Sequence, residues 1–144
     1  MISIIVVGHG HFASGILTSL ELIAGKQEQV TAIDFTAKMS SADVQDQLVK
    51  NLSNSGQQLV LCDLLGGTPF KVASTLMTQL DNENMNVLSG LNLTMLIEAI
   101  FSRQQAKSLD QLVETVIAAS KEGICDWKTL SCQTEDSTLE SEGV

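Results

Sequence analysis

Basic residues are scarce in this chain: 8 Lys and Arg face 17 Asp and Glu across 144 residues, for a formal net charge of -9. Nucleic-acid affinity depends on concentrated Lys and Arg, so DNA and RNA are poor partners for it. Cysteine is scarce as well. Cys62, Cys125 and Cys132 are odd in number and lack C-x-x-C spacing, which argues against a disulfide framework or a zinc site and fits a reducing cytoplasm. Cys62 lies in an apolar run and reads as a buried small hydrophobe. The two histidines, His9 and His11, have no obvious third neutral ligand, so no metal site is expected. Long apolar stretches are missing too. Residues 1–7 are apolar but carry no basic flank and run into Gly8-His9-Gly10 within one strand length, which predicts neither a signal peptide nor a membrane span.

What the chain does have is enough apolar sequence for a core. Hydrophobic residues make up 44% and charged ones 17% of 144 residues, a length that suits one domain rather than two. Four short apolar runs, residues 2–7, 29–34, 58–63 and 86–89, are each followed by a longer stretch of helical periodicity. That alternation predicts an α/β fold: an open, mostly parallel sheet with helices on both faces, in the common strand order 2-1-3-4. Residues 12–24 place Phe12, Ile16, Leu17, Leu20 and Ile23 on one side of a helix that Gly25 stops. Ser40 or Ser41 caps a second helix, striped by Val44, Leu48, Val49 and Leu52 and ended by Asn54-Ser55-Gly56. Thr68 reads as the N-cap and Pro69 as the first helical residue of a third, with Val72, Ala73, Leu76, Met77 and Leu80 facing inward. Residues 92–103 and 108–122 carry two more helical patterns, the second built on Leu109, Leu112, Val113, Val116 and Ile117 and closed by Gly123. Residues 124–130 leave three options open: an added edge strand, a pairing element for a second subunit, or a frayed helix end. From residue 131 the sequence is polar, acidic and aperiodic, so a domain over 1–130 and a solvated tail over 131–144 are expected.

In an open parallel sheet, ligands gather outside the carboxyl ends of the strands, where strand order reverses. The residues able to carry chemistry cluster there: Gly8-His9-Gly10-His11 after the first strand, Asp34-Phe35 after the second, and Asp63-Leu64-Leu65-Gly66-Gly67-Thr68-Pro69-Phe70 after the third. With strands one and three adjacent, His9 and Asp63 face each other. A carboxylate on one imidazole nitrogen fixes the tautomer and leaves the other nitrogen's lone pair outward, a usable nucleophile. Asp63 would also stabilise the cationic ring formed on phosphorylation. Gly66, Gly67 and Thr68, at a helix N-terminus, offer backbone N–H groups, a hydroxyl and the positive dipole end to a phosphoryl group. Gly10 lets the backbone approach closely. No metal, nucleotide or other cofactor is needed for that step.

Plainer roles compete at each position. A lone histidine in a strand-to-helix loop is usually solvated or capping, and only the convergence of His9, Asp63 and the Gly-Gly-Thr-Pro helix start lifts it above that. His11 falls in the first helical turn and is expected to point outward. Thr68 is at least a helix cap, and Asp34 reads as a loop or capping carboxylate. Phe12, Phe35, Leu64 and Leu65 are either core or an apolar docking rim for protein partners. The run Gly8-x-Gly10-x-x-x-x-Gly15 departs from dinucleotide-loop spacing, and His9 would intrude where a pyrophosphate lies.

These residues resemble the mannose-family EIIA component of the bacterial phosphoenolpyruvate-dependent sugar phosphotransferase system, over about residues 1–125. The likeness rests on Gly8-His9-Gly10 with Phe12-Ala13-Ser14-Gly15, on Asp63 through Phe70, and on Gly90-Leu91-Asn92-Leu93-Thr94-Met95-Leu96. It implies His9 as the phosphorylated residue, through Nε2, with Asp63 as its carboxylate partner and Thr68 as a phosphate contact. It further implies a homodimer with an exchanged C-terminal strand, drawn from residues 124–130. Phosphate would come from HPr and pass to an EIIB component serving a membrane permease. The family motif usually has Pro where Thr94 stands, a change that Thr can tolerate by capping. The wording of residues 8–15 and the acidic tail are most similar to the N-acetylgalactosamine/galactosamine branch. Two other classes remain in view: a receiver-like module phosphorylated on Asp63, and a non-catalytic regulatory interaction domain. A relative that modulates a dihydroxyacetone kinase fits the Gly-Gly-Thr-Pro-Phe run less well.

Overall fold

The computed structural model describes residues 1–52 and 56–134. Four parallel strands, β1 (Ser3–His9), β2 (Val30–Phe35), β3 (Gln58–Cys62) and β4 (Met85–Leu88), form one sheet in the order β2-β1-β3-β4. This is the predicted topology, and strand order reverses between β1 and β3. Among the described residues there are six helices: α1 (Phe12–Ala24), α2 (Ser41–Asn51), α3 (Thr68–Leu80), α4 (Leu93–Ser102), α5 (Leu109–Glu122) and α6 (Trp127–Thr134). The expected helix stop at Asn54-Ser55 lies outside the described residues.

Alternation along β1 divides the core in two. Ile4 and Val6 face one layer with residues of α1, α4 and α5, while Ile5 and Val7 face the other with residues of α2 and α3. β1 and β3 are buried almost throughout, as central strands covered on both faces must be. At the amino end of the sheet Arg103, only 3% exposed, donates from Nη1 to the carbonyls of Ile2 (3.2 Å) and Gln29 (3.4 Å) and from Nη2 to that of Glu28 (2.8 Å). That guanidinium ties the end of α4 to the starts of β1 and β2. Nothing in the local sequence pattern singles it out.

Three details differ from expectation. Gly67, not Thr68, is the N-cap of α3, so Thr68 is its first residue and Pro69 its second; proline still sits where its missing N–H costs nothing. The start of α4 is capped by Asn92, whose Oδ1 accepts from the Met95 N–H at 2.8 Å, rather than by Thr94. Thr94 instead packs against Gly123, where an added Cβ would come within 2.6 Å of Thr94 Oγ1.

The third concerns residues 124–130, left open between strand, subunit pairing and helix end: within the single chain the sheet has four strands among the described residues, and α6 begins at Trp127. Within a single chain the local chemistry favours this. Asp126 Oδ2 accepts from the Thr129 N–H (2.9 Å) and hydroxyl (2.7 Å), and these bonds hold its carboxyl below the usual range. The border drawn between residues 130 and 131 falls inside α6, and residues 135–144 lie outside those described.

Candidate functional site

His9 is the last residue of β1 and pairs in register with Phe35 at the end of β2. Continuing the odd-numbered alternation of Ile5 and Val7, its ring lies on the α3 side of the sheet, edge-on to Phe35 with centroids 5.6 Å apart. Asp63 follows β3 directly, its N–H donating to Val7 O at 3.3 Å. One carboxylate oxygen, Oδ2, accepts the His9 backbone N–H at 2.8 Å and lies 2.8 Å from His9 Nδ1. The same residue is thus held twice by one atom. The histidine side chain is 45% exposed and the aspartate 12%, so the pair presents its imidazole and shelters its carboxylate.

Two consequences follow for the imidazole. Asp63 Oδ2 accepts, so Nδ1 carries the hydrogen and Nε2 keeps its lone pair for chemistry. The ring cannot drift, because Gly67 closes against it: a Cβ there would stand 2.8 Å from His9 Cε1 and 3.5 Å from Nε2. Gly67 is therefore a residue of close approach. It puts the start of α3, with first-turn amides that have no intrahelical acceptor, beside Nε2. Gly66 precedes it in the turn, and Gly10 takes φ +58° where the chain leaves β1, a conformation glycine adopts without strain. Gly10 N–H donates to Phe35 O at 2.7 Å. Thr68 is half-buried beside the cradle and does not cap α3.

Leu64 and Leu65, in the loop between Asp63 and Gly66, are 59% and 71% exposed, and Phe12 is 37% exposed. Phe35 is half-buried against the His9 ring. A groove of about 440 Å³ runs from Thr68 between α2 and α3, bordered by Ser41, Gln45, Lys71 and Thr75. A larger hollow of about 550 Å³ near Leu52 and Asp81 lies at the opposite, amino end of the strands. Among the described residues, no three of His, Cys, Asp and Glu form a metal-holding group. Cys62 is buried one residue before Asp63; burial, and then the Asp63 charge, push its thiol to about 12, so it is no nucleophile.

A second histidine–aspartate pair stands on the same rim. His11 is the N-cap residue of α1 rather than part of its first turn, and its Nδ1 lies 3.1 Å from Asp34 Oδ2. Asp34 also accepts from the Ser14 N–H (2.9 Å) and hydroxyl (2.6 Å), so it caps α1 from the neighbouring strand. Burial works to raise the Asp34 carboxyl, but Ser14 and then His11 outweigh it and hold it below the usual carboxylate range. The capping role matches expectation, whereas the partnership with His11 is new. Strand alternation was the available signal: with Ile33 and Phe35 turned toward α2 and α3, Asp34 must face α1.

Comparison with known proteins accounts for most of the chain. A family model described as the PTS system fructose IIA component matches residues 3–117. The chain is 33% identical to the PTS system mannose-specific EIIAB component of Escherichia coli (strain K12) over 127 residues, 85% of this chain but 38% of that relative's length. It is 30% identical to the PTS system sorbose-specific EIIA component of Lacticaseibacillus casei, covering 83% of this chain and 86% of the other. A crystal structure of phosphotransferase system component EIIA from Streptococcus agalactiae superposes with a TM-score of 0.86 at 53% identity, covering 90% of this chain and 99% of that one. The mannose/sorbose specific IIA subunit from Enterococcus faecalis gives a TM-score of 0.78 at 30% identity over 87% of this chain and 93% of that one. With the α/β sheet, the histidine rim and these matches together, the chain belongs to the mannose-type EIIA family of the sugar phosphotransferase system.

Proposed function

We propose that this protein is a cytoplasmic phosphoryl carrier that accepts phosphate on Nε2 of His9 from phospho-HPr and passes it to an EIIB component. The supporting observation is the double contact of His9 with Asp63 Oδ2, which fixes the tautomer and orients the ring. In each transfer the P–N bond of one phosphohistidine breaks as a new P–N bond forms; the Nδ1 proton of His9 remains on the ring, and Asp63 offsets the cationic product. Gly66, Gly67, Thr68 and the first amides of α3 receive the equatorial oxygens, with Gly10 keeping the β1 end open. No metal or nucleotide takes part. Phe12, Phe35, Leu64 and Leu65 form the apolar rim on which HPr and EIIB dock in turn.

The wording of residues 8–15 favours N-acetylgalactosamine or galactosamine as the sugar served, through membrane permease components that make the final choice. A homodimer is also proposed, with Ile124 and Trp127, 75% and 74% exposed, in its contact. A receiver-like role for Asp63 is disfavoured by its burial beneath His9.

Incubation with phosphoenolpyruvate, enzyme I and HPr tests the reading. One acid-labile, base-stable phosphate should appear at His9, and the His9→Gln variant should lose the fast label. Undiminished labelling of that variant would overturn it.

A further inference from the structure

We propose that His11 is a second, slower phosphoryl acceptor, activated by Asp34 as His9 is by Asp63. This rests on the reading of His9 only for the identity of the donor, a protein phosphohistidine. Asp34 already accepts two Ser14 hydrogens, from N–H at 2.9 Å and from the hydroxyl at 2.6 Å. An ionised carboxylate in that position only accepts, so the 3.1 Å contact requires the hydrogen on His11 Nδ1. Nε2 then bears the lone pair, on a side chain 84% exposed. It is thus more open than the His9 ring, at 45%.

The transfer balances without a co-reactant. The donor P–N bond breaks with its electron pair returning to the donor imidazole, Nε2 of His11 forms the new P–N bond, and the Nδ1 proton stays facing Asp34. What His11 lacks is a phosphate cradle. Among the described residues no glycine closes on its ring as Gly67 does on His9, and both Ser14 donors are spent on Asp34. Loss of such donors costs about 100-fold in rate, so His11 should be about 100-fold slower than His9.

The experiment uses phospho-HPr with wild type, His9→Gln, His9→Gln/His11→Gln and His9→Gln/Asp34→Asn, followed by alkaline intact mass and fragment-ion localisation. His9→Gln should gain one acid-labile phosphate on His11, about 100-fold more slowly than wild type gains it on His9. The double histidine variant should gain none. Asp34→Asn should slow His11 about tenfold further, the scale of one hydrogen bond to a charged group. Because Asp34 also caps α1, Ser14→Ala in the His9→Gln background serves as the folding control: it removes the hydroxyl donor to Asp34, keeps the N–H donor, and should leave the His11 rate within about twofold.

Wild type labelled on His9 with His9→Gln unlabelled would overturn this inference and spare the reading of His9. Equal His11 labelling with and without the Asp34 carboxylate would also overturn it, reducing His11 to an incidental exposed imidazole. If wild type takes no phosphate from HPr, the reading of His9 fails instead. Potassium phosphoramidate, a small donor, then tests His11 by the same Asp34→Asn comparison, with equal rates counting against it and a slower variant in its favour.

Discussion

The two histidine–aspartate pairs differ by 0.3 Å in their Nδ1 to Oδ2 distance, 2.8 Å for His9 and Asp63 against 3.1 Å for His11 and Asp34, yet they are built for different work. Among the described residues Asp63 spends its Oδ2 on His9, through backbone and ring, and its buried Oδ1 has no hydrogen-bond partner. Asp34 divides itself between His11 and the cap of α1. His9 is pressed between Phe35 and Gly67, whereas His11 is largely in solvent. In both pairs the carboxylate holds the Nδ1 hydrogen and leaves the Nε2 lone pair free. Burial of the carboxylate, contact on the ring and a helix start beside Nε2 are found only at His9, and on the function proposed above they are what sets it apart as the rapid phosphoryl acceptor.

Substitutions should separate the pairs in a definite order. The largest effect is expected from Asp63→Asn, which removes the charge that fixes the His9 tautomer; single-turnover transfer from phospho-HPr should fall by about 10³- to 10⁴-fold, as when a triad aspartate is neutralised. Asp34→Asn should leave the His9 rate unchanged within about twofold, because it touches neither ring face of His9. Gly67→Ala comes next. Its Cβ would stand 2.8 Å from His9 Cε1, and the displaced ring should lose about 100-fold in rate, with the melting transition little changed.

Smaller effects reverse the ranking of the two aspartates. Asp34→Ala removes the cap of α1 and should cost about 1 to 2 kcal/mol in urea unfolding, a typical capping loss. The same group gives a pH signature. Its carboxyl is held below its ordinary 3.8, so its stabilisation is complete above that value and is lost as pH falls through the lowered folded value. Wild type should therefore lose more stability than Asp34→Ala between neutral and strongly acidic pH, measured by denaturant melts at each pH.

Much of this was legible in the sequence. Four apolar runs separated by helical periods specify a parallel sheet, and the rim rule then brings residues as distant as His9 and Asp63 together. Exact cap positions were less legible, because Gly67-Thr68-Pro69 and Asn92-Leu93-Thr94 each offer two candidates within three residues. The His11–Asp34 pair was hidden for a different reason. It depends on which sheet face residue 34 takes and on the chain turning at Gly10, with φ +58°, so that His11 returns toward β2. Arg103 was invisible, since its three acceptors are backbone carbonyls carrying no sequence signal. For residues 124–130 the sequence left edge strand, subunit pairing and helix end open, and within the single chain the Asp126 bonds to Thr129 start a helix.

The most direct test of the account is to localise the first phosphate that wild-type protein takes from phospho-HPr, by rapid quench and fragment-ion mapping with nitrogen-resolved NMR of the ring. The account predicts Nε2 of His9, base-stable and acid-labile. A first phosphate on Asp63, on His11 or on any other residue would contradict it.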